Sequence, residues 1–144
     1  ELRFIEQMPL DAQHAWDRGL MVTQAELLQR LGERFTLTPV PSRGSAPAET
    51  FLVDGGPAIV GIIASVTAPF CAACDRVRLT ADGQLRTCLF PRGEGDRRGP
   101  LREGATDDGL GQRMIEEMAR KAAGHGIDGP RFVQPDRPMS AIGG

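Results

Sequence analysis

Every cysteine of this chain lies in one stretch, Cys71-Ala-Ala-Cys74 and then, after a readable turn, Cys88. That stretch constrains the fold more than any other. Thiolate is a soft ligand suited to iron–sulfur clusters, zinc or copper(I), and a C-x-x-C pair can place two sulfurs on one metal centre while a hairpin returns a third. A closed structural zinc site takes four protein ligands, whereas three thiolates on a four-iron cluster leave one iron open. An odd count of three cysteines speaks against a secreted disulfide framework and for a reducing cytosol.

The turn fixes where side chains point. Residues 77–80 and 84–90 flank Ala81-Asp82-Gly83, and Asp-Gly between strand-like runs signals a hairpin. A type I turn at Ala81 and Asp82 with Gly83 left-handed pairs Thr80 with Gln84, Arg78 with Arg86 and Arg76 with Cys88. Cys88, Arg76 and Arg78 then share one face. A two-residue turn would shift the register by one and turn both arginines away from Cys88. The planar guanidinium fork suits phosphate oxygens, so an anionic phosphorylated ligand beside a metal centre is the functional expectation. The competing readings are buried cysteines acting as small hydrophobes, a solvated arginine face and a dithiol redox pair.

A length of 144 residues with 40% hydrophobic residues fits a single globular domain. The net charge of −2 argues against a general nucleic-acid binder. Charge is unevenly spread: residues 71–102 hold seven arginines against four acidic residues, a net of +3 in an otherwise acidic chain. No apolar run approaches a membrane span and no signal peptide is visible. A start at Glu1 without Met suggests a portion of a larger cytosolic enzyme.

Residues 2–8 alternate apolar and polar and stop at Pro9, which reads as a strand opening onto a loop. Thr23 and Glu26 form a capping box with Val22 and Leu27 as a staple, so a helix is expected from Gln24 to about Leu31, burying Leu27, Leu28 and Leu31. Residues 36–40 read as a short strand. Residues 50–53 and 58–66 read as strands joined by Asp54-Gly55-Gly56-Pro57, with the glycines serving the turn and not a phosphate. The two hairpins suggest one antiparallel sheet presenting the cysteines at an edge. Residues 91–104 read as a mobile basic loop. A second helix is expected from Asp108 to Ala123, with Leu110, Met114, Met118 and Ala122 on its buried face and Gly124 ending it. Residues 130–144 read by composition as a frayed tail. The fold class is α/β.

Beyond these patterns, PFCAACDRVRLTADGQLRTCLF closely resembles the second cluster motif of the radical-SAM GTP 3',8-cyclases of molybdenum cofactor biosynthesis. The likeness continues through RFIEQMPLD, a Trp a few residues later, SVTAPF before Cys71 and the closing IGG, so it covers essentially the whole chain. It reaches only the C-terminal part of that family's architecture, because the N-terminal C-x-x-x-C-x-x-C motif is absent. Asp75 departs from the family pattern, which carries Asn there.

The resemblance implies the C-terminal part of an incomplete TIM-type radical-SAM barrel, with a cluster-bearing hairpin sheet and flanking helices. Residues 1–144 would form one cluster- and GTP-binding domain, with residues 1–10 as the last barrel strand and loop and residues 130–144 as the tail. It implies that Cys71, Cys74 and Cys88 ligate a 4Fe-4S cluster whose open iron holds the guanine edge, and that Arg76, Val77 and Arg78 bind GTP. Met8 would contact S-adenosylmethionine (SAM), and Gly143 and Gly144 would reach into the barrel's catalytic centre. The absent half would hold a second cluster. In the family a 5'-deoxyadenosyl radical takes the C3' hydrogen of GTP, and the ribose radical attacks C8 to give (8S)-3',8-cyclo-7,8-dihydroguanosine 5'-triphosphate. Cyclic pyranopterin monophosphate synthase acts next. The resemblance further implies a cytoplasmic lyase with no nucleic-acid or membrane partner, leaves room for a homodimer of the full enzyme, and predicts no turnover from this part alone. The alternatives are a structural zinc module with His14 or His125 as fourth ligand, and a small dithiol oxidoreductase using Cys71 and Cys74.

Overall fold

The computed structural model describes residues 1–90, 93, 95–127, 129 and 132–142. The chain divides into two compact units, one of residues 1–8 and 16–74 and the other of residues 9–15 and 75–144. Among the described residues no helix is long and apolar enough to cross a membrane.

The first unit is a four-stranded mixed sheet with a helix packed on it. Strands β1 (Leu2–Ile5), β2 (Leu37–Pro39), β3 (Glu49–Val53) and β4 (Ile59–Ile63) lie in the order β1-β4-β3-β2. β1 runs parallel to β4 and the other pairs are antiparallel. The run Ile59-Val60-Gly61-Ile62-Ile63 is apolar without alternation because β4 is central, bonded on both sides, with Val60 and Ile62 buried. Asp54 and Gly55 take positive φ, and Val53 N–H donates to Ala58 O at 2.9 Å, which closes the expected hairpin.

Helix α1 (Gln24–Gly32) begins at the expected capping box. Glu26 N–H donates to Thr23 Oγ1 at 3.2 Å, and Thr23 N–H donates to Glu26 Oε2 at 2.8 Å. Its Leu27, Leu28 and Leu31 pack with Phe4, Leu37 and Val53 against the buried Phe51, Val60 and Ile62. β1 is shorter than residues 2–8. One further bond, Glu6 N–H to Ile63 O at 3.1 Å, follows it before the Glu6 side chain turns inward to other donors.

The second unit holds a separate three-stranded antiparallel sheet, β5 (Arg78–Leu79), β6 (Gln84–Arg86) and β7 (Gly95–Asp96), in the order β5-β6-β7. The expectation of one sheet spanning both hairpins is therefore corrected to two sheets among the described residues. The described residues 95–104 of the basic stretch are also more ordered than a loop. They contribute β7 and the short helix α2 (Arg98–Arg102), because the Asp96 carboxylate gathers the N–H groups of Arg98 and Gly99 at 3.0 to 3.3 Å.

Helix α3 (Asp107–Ala119) starts at Thr106, whose side chain accepts from Gly109 N–H at 3.2 Å. It ends four residues before the expected Ala123, since Arg120 N–H bonds Glu117 O and Lys121 N–H bonds Met118 O in a tightened last turn. Its expected buried face is largely open, with Met114 and Met118 both exposed. The tail is not frayed over its described part. Gln134 Nε2 donates to Asp11 O at 2.8 Å, Met139 N–H donates to Leu10 O at 3.0 Å, and Ile142 is fully buried.

Candidate cluster and phosphate site

Cys71 opens a single 3₁₀ turn, Cys71–Ala73, in the first unit, and Cys74 N–H donates back to Cys71 O at 3.2 Å. Cys74 follows the turn in extended backbone. The Arg43 guanidinium lies 5.8 Å above the ring of the preceding Phe70. Cys88 follows β6 in the second unit. All three cysteines are half-buried thiols, not disulfides. Among the described residues no group of three or more His, Cys, Asp or Glu side chains is gathered to hold a metal ion.

The hairpin between Cys74 and Cys88 has the three-residue turn. Gly83 lies at φ +81° and donates to Thr80 O at 2.9 Å, while Thr80 N–H donates to Gln84 O at 3.0 Å. Only glycine enters that conformation without strain, and a Cβ on Gly83 would stand 2.7 Å from Arg98 Cβ. The register follows as expected, Leu79 opposite Leu85 and Arg78 opposite Arg86, so the two guanidinium stems share a face.

The ladder stops there. The expected third pair, Arg76 with Cys88, lies outside β5 and β6, because the Arg76 carbonyl accepts instead from Lys121 Nζ at 2.6 Å. On the other strand Arg86 Nη2 donates to Leu89 O at 3.0 Å.

Arg78 lies beneath the tail. Its Nη1 donates to Ile142 O at 3.4 Å and approaches Met139 Sδ at 3.7 Å. Arg137 reinforces the same attachment by forking both oxygens of Asp82 at 3.2 Å and donating to Ala141 O at 2.6 Å. The Thr80 hydroxyl, foremost, and Arg137 beside it hold the Asp82 carboxyl below its ordinary pKa. Val77 and Arg76 are exposed, and Met8 is half-buried just beyond β1. Gly143 and Gly144 lie outside the described residues.

His14 is exposed at φ +52°. His125 packs edge-on against Phe90 with centroids 4.9 Å apart, and its Nδ1 accepts from Ile127 N–H at 3.2 Å.

A C-x-x-C turn followed by an arginine-bearing Asp-Gly hairpin and a third cysteine is the arrangement to be matched. A family model described as Molybdenum Cofactor Synthesis C matches residues 1–127. The chain belongs to this family.

Relatives of this Molybdenum Cofactor Synthesis C chain include the GTP 3',8-cyclase of Streptomyces coelicolor, 63% identical over 146 residues that cover all of this chain and 43% of the relative. That of Mycobacterium sp. strain KMS is 60% identical over all of this chain and 41% of its own length. GTP 3',8-cyclase 2 of Mycobacterium tuberculosis H37Rv is 54% identical with the same 41% coverage. The chain thus spans about two fifths of the curated relatives it matches, and the matched region is their C-terminal part.

The family expectation of an iron–sulfur cluster can be set against the donors present. Half-buried thiols are soft donors of the kind such a group takes, but the described residues do not gather three of them at one point.

Two buried charged side chains leave only weak signals in the sequence. Arg86 was placed opposite Arg78 but given no role, yet it is 4% exposed; its position across from a candidate ligand was the available signal. Glu6 is 1% exposed, and its signal was parity, since it falls on the same strand face as the core residue Phe4. Burial raises the Glu6 pKa, but the Thr67 hydroxyl and the N–H groups of Thr67, Gln24 and Val66 outweigh it and leave the carboxyl below its ordinary value.

Proposed function

We propose that this chain is the substrate-binding C-terminal part of a GTP 3',8-cyclase, in which residues 71–90 carry a cluster and a nucleotide site. The observation that supports this most directly is the hairpin register, which sets Arg78 opposite Arg86 within a few residues of Cys74. Cys71, Cys74 and Cys88 would hold a 4Fe-4S cluster, and residues 1–10 would complete a radical-SAM barrel whose other strands lie in the remaining three fifths of the relatives' length.

A cluster held by Cys71, Cys74 and Cys88 would supply an open iron site for the guanine edge, and SAM with a second cluster in the other half would supply the radical chemistry. The chain's own residues bind and orient. Arg76 and Arg78 carry permanent charge toward the triphosphate, and the Val77 backbone between them sets their spacing. A base and a triphosphate held at opposite ends restrain the ribose so that C3' and C8 meet in reacting geometry. Arg78 also holds Ile142, the residue before Gly143 and Gly144, so the closing glycines would enter the catalytic centre from a fixed anchor. Met8 would face SAM. The product would pass to cyclic pyranopterin monophosphate synthase, in the cytoplasm.

The test is GTP cyclisation by the complete enzyme. Arg78→Ala is expected to weaken GTP binding about tenfold or more, the worth of one charge-assisted contact, and Cys88→Ala to abolish product formation. Wild-type turnover by a Cys71→Ala, Cys74→Ala, Cys88→Ala triple variant would overturn the reading, as would SAM-dependent turnover by this chain alone.

A further inference from the structure

The chain has 17 basic side chains, and only one of them, Lys121, is a lysine. It stands just beyond α3, where its N–H donates to Met118 O at 3.1 Å. From there the ammonium reaches back to donate to Arg76 O at 2.6 Å.

That carbonyl belongs to residues 74–77, which connect the C-x-x-C turn to β5 and lie in no helix or strand. Arg78 has a cross-strand partner to fix its backbone, Arg86, whereas Arg76 lies beyond the ladder. The ammonium therefore does for the Arg76 peptide what sheet pairing does for Arg78. The helix that delivers it is tied down as well, since Arg97 Nη2 donates to Arg113 O at 3.0 Å and lies 3.8 Å from Glu117 Oε2.

We propose that Lys121 is a positioning residue for the phosphate-binding segment. It fixes the backbone of Arg76 so that the Arg76 and Arg78 guanidinium groups keep their spacing, and it brings a third cation to the same segment. A ligand rich in phosphate charge gains most from both effects, so the contribution scales with the number of phosphates. The inference rests on the reading of residues 76–78 as the GTP phosphate site.

The experiment compares dissociation constants for GTP and GMP in the complete enzyme, using Lys121→Met, Lys121→Arg, Arg76→Ala and Arg78→Ala. Lys121→Met is expected to weaken GTP about tenfold and GMP by less than about threefold, and Lys121→Arg, which keeps a charged donor, to return GTP to within about threefold of wild type. Unchanged GTP affinity in Lys121→Met, with GTP lost in Arg76→Ala, would overturn the role of Lys121 and leave the phosphate site standing. Equal weakening of GTP and GMP would also overturn it, since a merely structural lysine does not count phosphates. Wild-type GTP affinity in both arginine variants would remove the phosphate site itself, and the inference with it.

Discussion

Replacing Glu6 tests a concentrated polar contact in the first unit. Its Oε2 accepts from Val66 N–H at 2.8 Å and Thr67 N–H at 2.9 Å; its Oε1 accepts from Gln24 N–H at 2.9 Å and from the Thr67 hydroxyl. One carboxylate thus joins the end of β1, the first turn of α1 and the chain after β4, and its charge sits favourably at a helix N-terminus.

In Glu6→Gln the new NH₂ can oppose only the Oε1 donors without losing two N–H bonds. The Thr67 hydroxyl can reverse and accept, but Gln24 N–H is left facing another donor. One lost charge-assisted bond and one orphaned N–H cost about 2 kcal/mol. Glu6→Ala leaves all three N–H groups without their acceptor, and partial water entry limits the cost to about 4 kcal/mol.

Urea unfolding followed by Trp16 fluorescence reads this directly. Trp16 is the chain's single tryptophan and bonds Gln7 O at 2.8 Å within the same unit. Because the folded Glu6 pKa is depressed, the stabilisation is present in full above the unfolded carboxyl pKa of about 4.3 and is lost as pH falls through the folded value. The gap between wild type and Glu6→Gln should therefore narrow in acid. A Glu6→Gln variant within about 0.5 kcal/mol of wild type at neutral pH would refute the reasoning.

Gly83→Ala combines a φ of +81° with a Cβ 2.7 Å from Arg98 Cβ, and should destabilise the second unit by about 2 kcal/mol or more; unchanged urea unfolding would count against the turn. Ile142→Ala should cost about 3 kcal/mol, because Ile142 is fully buried. It should also speed amide exchange at Met139 and Ile142, and exchange equal to wild type would mean the tail is not anchored.

The parts of the fold legible in the sequence are those with local causes. Thr23 and Glu26 announced α1 because a capping box is written in four residues, and Asp82-Gly83 announced the register of β5 and β6 because only a left-handed third residue closes that turn. What escaped depends on distant partners. The tightened last turn of α3 leads into the Lys121 contact with Arg76, and the order of residues 95–102 comes from pairing with β6 and from Asp96. Neither leaves a periodic trace. The exposed Met114 and Met118 show the same limit, since an apolar stripe identifies a helix face but not what lies against it. Within the candidate site the thiols, Arg76 and Arg78 were visible by residue type and spacing, and Val77 only through the family resemblance. Arg86 was visible only as a register partner, and the hold of Arg78 on Ile142 not at all.

Iron and acid-labile sulfide content after anaerobic reconstitution bears most directly on the claim that Cys71, Cys74 and Cys88 hold a cluster. About four irons and about four sulfides per chain, falling away in Cys88→Ala, is the predicted result. Stoichiometric zinc without sulfide would contradict it and move these cysteines to a structural zinc site.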